Sequence, residues 1–251
     1  VGAAYSCALL SNLEMRCWGQ GSEGQLGNGT TTASTSTKTS PTGISNVSKL
    51  GSGAVPCVIL NTGTVKCWGT NGNNQLGDGT TTRRTTPVEI GGFVAAVVSI
   101  DSGSVGGCAA LSNGKAMCWG AGSRGMIGDG FSVGRSVPTL VSGLTTVSGV
   151  SSGYYHRCAV LTDTSIKCWG DNYAGQLGDG TMTRALTPVS ITAPPALATP
   201  TSVTATATAS TLKSVGVSWN AVADASSYTV KLYNAAGATV LATQTGLTAT
   251  S

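Results

Sequence analysis

The sequence predicts an all-β protein made of repeated units, and three observations carry that prediction. Cysteines fall in pairs ten residues apart, the pairs recur with a period near 50, and each second cysteine opens the same Cys-Trp-Gly phrase. No segment keeps a 3.6-residue apolar period, and the 36 glycines spread through 251 residues would weaken any long helix. A period of 20 to 50 residues is the mark of stacked or radial units, none of which buries its own face alone.

The cysteines set the period. They pair as Cys7/Cys17, Cys57/Cys67, Cys108/Cys118 and Cys158/Cys168, with first members 50, 51 and 50 residues apart. Nine residues beyond each repeat tryptophan stands a glycine, giving Trp18/Gly27, Trp68/Gly77, Trp119/Gly128 and Trp169/Gly178. A second glycine follows two residues later, at Gly29, Gly79, Gly130 and Gly180. Pro87, Pro138 and Pro188 lie 19 residues past their tryptophans; Pro41 lies 23 past Trp18, which places a four-residue insertion in TTTASTSTKTS.

Each unit reads as strands. Short runs such as Cys-Ala-Leu-Leu and Val-Lys-Cys-Trp bracket Asn-Thr-Gly-Thr or Ser-Asn-Gly-Lys, the chemistry of a tight hairpin turn with Gly63 or Gly114 at its last position. Two cysteines ten apart around such a turn fall directly opposite each other, at about 4.5 Å between Cα atoms for a non-hydrogen-bonded pair, within disulfide reach. Four like hairpins select one pairing out of 105. The competing reading, a zinc site, needs ligands two to four residues apart and usually histidines, and the chain has one histidine. Four disulfides imply an oxidising, extracellular compartment.

Composition excludes several function classes. Charged residues make up 10% of the chain, and the net charge of +4 comes from 14 basic and 10 acidic residues with no basic run, so no nucleic-acid footprint is present. No stretch of 18 apolar residues occurs, so no helical membrane insertion is expected from this segment. VGAAYSCALL lacks the basic start of a signal peptide. Because the sequence opens inside a repeat, at Gly2 as the counterpart of Gly153, a truncated first unit is expected.

With these positions in hand, a family resemblance can be stated. The phrase Cys-Trp-Gly-x-Asn-x-x-Gly-Gln-Leu-Gly-Asp-Gly-Thr, with Ser52-Gly53, Ser102-Gly103 and Ser152-Gly153 before the next cysteine strand, resembles the regulator of chromosome condensation repeat, in its bacterial, secreted, cysteine-bearing form. The resemblance covers residues 1–190, as units of approximately 2–51, 52–101, 102–151 and 152–190. It implies β-propeller blades of four strands, commonly seven to a ring. Four such units are not expected to close a ring alone. Residues 191–200, ITAPPALATP, read as a proline-stiffened linker. Residues 201–251 resemble the first half of a fibronectin type III domain, an incomplete β-sandwich with Trp219 in its core and Tyr228 opening a strand. Its missing strands would leave open edges, a template for pairing with other chains.

Chemistry-bearing motifs reduce to architecture. Gly19–Gly24 and Gly120–Gly125 fit GxGxxG, but the other two repeats break the pattern and no βαβ unit surrounds it. Asn28, Asp78, Asp129 and Asp179 each precede a glycine, which is better read as an Asx-turn than as a calcium ligand. His156, the sole histidine, has no thiol left to activate, and the glutamates Glu14, Glu23 and Glu89 sit at unrelated phases of the repeat. No catalytic residue, metal ligand or cofactor is expected. The repeat tryptophans are read as packing residues rather than a stacking platform. Asn28-Gly-Thr30 and Asn46-Val-Ser48 fit the N-glycosylation pattern, and the Ser/Thr-dense insert suits O-glycosylation.

Recognition is expected where the repeats differ. Subtracting the common pattern leaves Tyr154, Tyr155, His156, Arg157, Tyr173, Arg83, Arg84, Phe131 and Arg135 as the candidate binding surface, rich in the Tyr and Arg that interface hot spots favour. The expected function is a non-enzymatic extracellular or cell-surface module for adhesion, display or protein binding. Its partners would be proteins, surface glycans or copies of itself. Two alternatives stand beside it, a subunit of an extracellular filament and an inhibitor of a secreted enzyme. A propeller resembling this family inhibits β-lactamases, although no motif here transfers that role. A nuclear nucleotide-exchange role, attached to the family's name, is incompatible with four disulfides.

Overall fold

The computed structural model describes residues 2, 4–192, 200–208, 214–222, 225, 227–233 and 240–248. They form two compact units, 1–192 and 193–251. Residues 193–199, most of the expected linker, lie outside the described residues.

Unit one is four antiparallel sheets, the blades. The first contains β1 (Tyr5–Leu9), β2 (Met15–Gly19) and β3 (Ser34–Thr39). The second begins with β4 (Val47–Leu50), followed after the two-residue β5 (Ser52–Gly53) by β6 (Cys57–Leu60), β7 (Val65–Gly69) and β8 (Arg84–Ile90). The third runs β9 (Val97–Gly103), β10 (Gly106–Leu111), β11 (Ala116–Gly120) and β12 (Arg135–Leu140). The fourth runs β13 (Val147–Ser152), β14 (His156–Leu161), β15 (Ile166–Gly170) and β16 (Ala185–Ser190). These are β-propeller blades, and each full one is ordered as its strands occur in the chain.

Blades meet along their first strands. β5 leaves its own sheet and pairs in parallel with β9, Ser52 opposite Asp101 and Gly53 opposite Ser102. One blade further on, the Ser152 amide donates to Asp101 Oδ2 at 2.6 Å.

The central hairpin of each blade is stapled. The register sets Cys7 opposite Cys17, Cys57 opposite Cys67, Cys108 opposite Cys118 and Cys158 opposite Cys168. Each pair forms a disulfide across 4.1 Å between Cα atoms. The turn fits its glycines: Gly63 and Gly114 have φ of 84° and 76°, a region where a side chain is disfavoured.

The core lies between blades, not within them. Cys57, Ile59, Val65, Cys67 and Ile90 on the disulfide face of blade two pack against Val97, Ala109, Leu111, Met117 and Trp119 of blade three. Blade three repeats this with Cys108, Ala110, Ala116, Cys118 and Val141 against Ala159, Leu161 and Trp169 of blade four. Blade one does so with Met15 and Cys17 against Val47, Val58 and Trp68 of blade two.

Unit two contains β17 (Thr204–Thr208) paired with β18 (Ser214–Ser218), and β19 (Tyr228–Tyr233) paired with β20 (Val240–Leu247). Trp219, just past β18, is buried with its ring 5.2 Å from that of Tyr228, edge to face. The Tyr228 hydroxyl accepts from the Val222 amide at 2.8 Å.

Candidate functional site

The repeat phrase proves to be the joint between blades. Trp68, Trp119 and Trp169 are fully buried, and each indole Nε1–H donates to a backbone carbonyl of the preceding blade: Gln25 at 2.9 Å, Gln75 at 2.9 Å and Met126 at 3.0 Å. Facing each indole is the glycine nine residues beyond the previous tryptophan. A Cβ on Gly27, Gly77 or Gly128 would lie 2.7 Å from the ring of Trp68, Trp119 or Trp169. The glycine two residues on completes the joint, since Gly29, Gly79 and Gly130 donate to Thr85, Ser136 and Leu186 of the next outer strand.

The loop between Trp and the second glycine is held from within. In all four repeats the Asx-turn forms: Asn28, Asp78, Asp129 and Asp179 accept from the amides of Thr30, Thr80, Phe131 and Thr181. In the second and fourth repeats a buried asparagine adds a hub. Asn71 Nδ2 donates to Asp78 Oδ1 and to the carbonyls of Thr80 and Thr82, while its Oδ1 accepts from the Leu76 amide. Asn172 does the same with Asp179, Thr181, Thr183 and Leu177. Repeats one and three have Gly21 and Gly122 there, where a Cβ would sit 2.2 Å from Thr32 O or 1.9 Å from Val133 O. The GxGxxG matches are thus loops closed on their own backbone. Burial acts to raise the Asp78 pKa, but hydrogen bonds from Thr80, Arg84 and Asn71 together hold it below the ordinary carboxylate value.

The predicted surface residues separate into two groups. Arg84 is ion-paired with Asp78 at 2.8 Å and Arg135 with Asp129 at 2.6 Å, so both brace their own turn. Arg83 ties blades one and two, donating to Ser22 O at 3.0 Å. Arg157 requires a correction. It is 1% exposed and cannot form part of an accessible surface. Its guanidinium donates to the carbonyls of Gly153, His156 and Gly106, locking blade four to blade three. Burial pushes its pKa down to about 10, against the opposing pull of Asp101.

Arg83 stays exposed on blade two, and the exposed aromatic residues of the set lie on the last two blades. Tyr154 is 58% exposed and stacks edge to face on Tyr155 at 4.3 Å. Arg124, carried by the blade-three loop, lies 4.2 Å over the Tyr155 ring and is ion-paired at 2.7 Å with Asp171 of blade four. The Asp171 amide in turn donates to Tyr155 O at 2.9 Å. Tyr173, two residues further, is 72% exposed. His156, half-buried beside this group, has its pKa lowered first by burial and then by the Arg157 charge, with Asp171 opposing. Phe131 is exposed elsewhere on blade three, under the Arg135 guanidinium at 5.7 Å. Sequence reasoning missed Arg124 and Asp171 as members of the cluster: their departure from the repeat is visible, but their pairing across a blade boundary is not.

Comparison with known proteins agrees with this architecture. Residues 62–109 and 113–160 match the regulator of chromosome condensation (RCC1) repeat, and residues 147–176 match a second model of the same repeat. Human WBSCR16 superposes with a TM-score of 0.69 at 25% identity, over 80% of this chain and 54% of that one. Prp20p from Saccharomyces cerevisiae, described with its binding properties to Gsp1p and histones, superposes with a TM-score of 0.67 at 18% identity, over 76% of this chain and 49% of that one. The yeast RCC1 (Prp20) structure with Kap60 bound gives 0.65 at 23% identity, over 81% of this chain and 50% of that one. The chain therefore spans about half the length of these propellers. No curated protein sequence matches it. Three stretches of this chain, 62–109, 113–160 and 147–176, are thus similar to the RCC1 repeat, and the unit that contains them is built of β-propeller blades.

Proposed function

We propose that this chain is a non-enzymatic protein-binding module that works outside the cell, and that it binds through the Tyr154, Tyr155, Arg124 and Tyr173 surface of its last two blades. The observation that carries the reading is the Arg124–Tyr155–Tyr154 stack pinned by Asp171, which offers aromatic and guanidinium surface already fixed in place. Preorganised Tyr and Arg lose little conformational entropy on binding and dominate interface hot spots. Proteins recorded with partners among the related structures, such as Prp20p with Gsp1p and histones, favour a protein ligand.

The extracellular assignment rests on the four disulfides, which reducing compartments do not maintain. The non-enzymatic assignment rests on the likeness to the RCC1 repeat and to propellers that are described with protein partners. In this reading residues 201–251 are a fibronectin type III-like spacer that tethers or displays the blades for adhesion.

The test is capture from a secreted and surface-protein fraction by the immobilised chain, with a glycan array alongside. Tyr154→Ala and Tyr173→Ala are expected to lower retention of the captured protein about 10-fold or more, as truncation of a hot spot does. Unchanged retention by both variants removes this surface from the account. A signal confined to the glycan array replaces the protein ligand with a sugar.

A further inference from the structure

One tie between neighbouring blades is made twice with the same geometry and opposite charge. The residue 15 past the repeat tryptophan is an arginine in repeats two and four, Arg83 and Arg184. Arg83 reaches back to blade one and donates to Ser22 O at 3.0 Å; Arg184 reaches back to blade three and donates to Ser123 O at 2.8 Å. Beside the accepting carbonyl the two sites part. Glu23 follows Ser22 and lies 3.6 Å from Arg83, whereas Arg124 follows Ser123 at the same place in the repeat. The acid that answers the tie in one joint is a second base in the other.

The acids around Arg184 are engaged elsewhere. Asp171 Oδ2 accepts from Arg124 at 2.7 Å, and its side chain is 11% exposed. Asp179 stands where Asp78 and Asp129 pair with Arg84 and Arg135, but Ala185 holds the arginine's position, and Asp179 Oδ1 accepts from Asn172 and Thr181. Among the described residues Arg184 has a backbone carbonyl as partner and no carboxylate. Its exposure belongs to the loop and not to the end of the row, because Arg83 is equally an exposed residue with a blade on either side. The same holds for Tyr173, whose counterparts Ser22, Gly72 and Ser123 are all exposed.

We infer that the protein segment bound at the boundary of blades three and four is acidic, and that one of its carboxylates pairs with Arg184 while neighbouring side chains lie on Tyr154 and Tyr173. The inference rests on the reading above that this surface binds a protein, and it adds the partner's chemistry. Charge complementarity carries it. Two guanidiniums flank Ser123, the internal carboxylate of Asp171 serves one of them, and the planar fork of the other matches a carboxylate. A neutral or basic segment covering Arg184 would leave its charge unpaired and out of water, which selects against such partners.

Polypeptides of known charge test the inference directly. The probes are a fluorescent random copolymer of glutamate and tyrosine, the lysine–tyrosine copolymer, and heparin as an acidic glycan, each read by anisotropy against the 251-residue chain. The glutamate copolymer should bind and the lysine copolymer should not. Arg184→Glu should weaken that binding about 10-fold or more, and Arg184→Gln, which removes the charge without reversing it, about 3-fold. Arg83→Glu is the matched control. It cuts the same kind of tie and changes the net charge equally, yet should leave binding within about 2-fold of the wild type, its charge being screened from the distant site. An unchanged near-ultraviolet circular dichroism of the tryptophans identifies the variants that are folded.

Equal weakening by Arg83→Glu and Arg184→Glu overturns the inference, because the copolymer would then respond to overall charge. Failure of the glutamate copolymer to bind overturns it too, and binding of heparin alone replaces the acidic protein with an acidic glycan. Retention of the captured protein separates this failure from that of the surface itself. If Tyr154→Ala lowers retention and Arg184→Glu does not, the surface stands and the acidic partner falls; if neither lowers it, both fall.

Discussion

At the residue scale, the least legible position is the one two residues after the Cys-Trp-Gly phrase. It is Gly21, Asn71, Gly122 and Asn172 in the four repeats, which on paper looks like drift at a loop. The structure shows two solutions to one problem. Where glycine stands, the loop backbone closes on itself; where asparagine stands, its amide satisfies the carbonyls that would otherwise be stranded. Asn71→Ala would leave the buried Leu76 amide and the part-buried Thr80 and Thr82 carbonyls without this partner, at about 1–3 kcal/mol for a buried group and less for the others. Urea denaturation should show a loss of about 2–4 kcal/mol, and a loss under 1 kcal/mol would mean that water replaces the side chain. Arg157 was misread for a related reason. A sequence marks arginine as surface, and only the packed structure shows carbonyls from two blades converging on its guanidinium. The Asx-turns were legible because both partners lie two residues apart.

At the scale of the element, the hairpins were readable almost completely. Turn glycines, alternation and cysteine spacing jointly fix the register, and the cysteines pair directly across β1–β2, β6–β7, β10–β11 and β14–β15. What no local pattern announces is the partner of each tryptophan, 43 or 44 residues back in the chain. Nor does it announce the parallel pairing of β5 with β9, which leaves blade two for blade three. The two stabilising devices differ in size. Burying a tryptophan removes roughly 150–250 Å² from water, about 4–6 kcal/mol at 25 cal/mol/Å². Closing a loop this short with a disulfide adds about 2–3 kcal/mol, by constraining the unfolded chain. Replacing Cys108 and Cys118 together by alanine should therefore lower stability by about 2–3 kcal/mol while the blades remain assembled. Near-ultraviolet circular dichroism of the tryptophans would check this, and loss of the folded signal at 25 °C would give the disulfide the larger share.

At the scale of the whole molecule, stability is a chain of nearest-neighbour joints, as in other repeat proteins. The blades cannot be understood singly, because the buried residues of each one are shared with the next. The recognition surface we propose lies at the boundary between blades three and four, where Arg124 and Asp171 meet from opposite sides. The measurement that reaches this account most directly compares Gly77→Ala with Gly63→Ala by equilibrium unfolding. Both glycines hold left-handed backbone, φ 74° and 84°, so both substitutions carry the same conformational cost of about 1–2 kcal/mol. Only Gly77 faces an indole, with Trp119 at 2.7 Å, whereas a Cβ on Gly63 meets nothing within 4 Å. Gly77→Ala should cost about 1–3 kcal/mol more than Gly63→Ala, the price of forcing a methyl group into a filled seat. Equal losses for the two variants would contradict the claim that the repeat phrase exists to join one blade to the next.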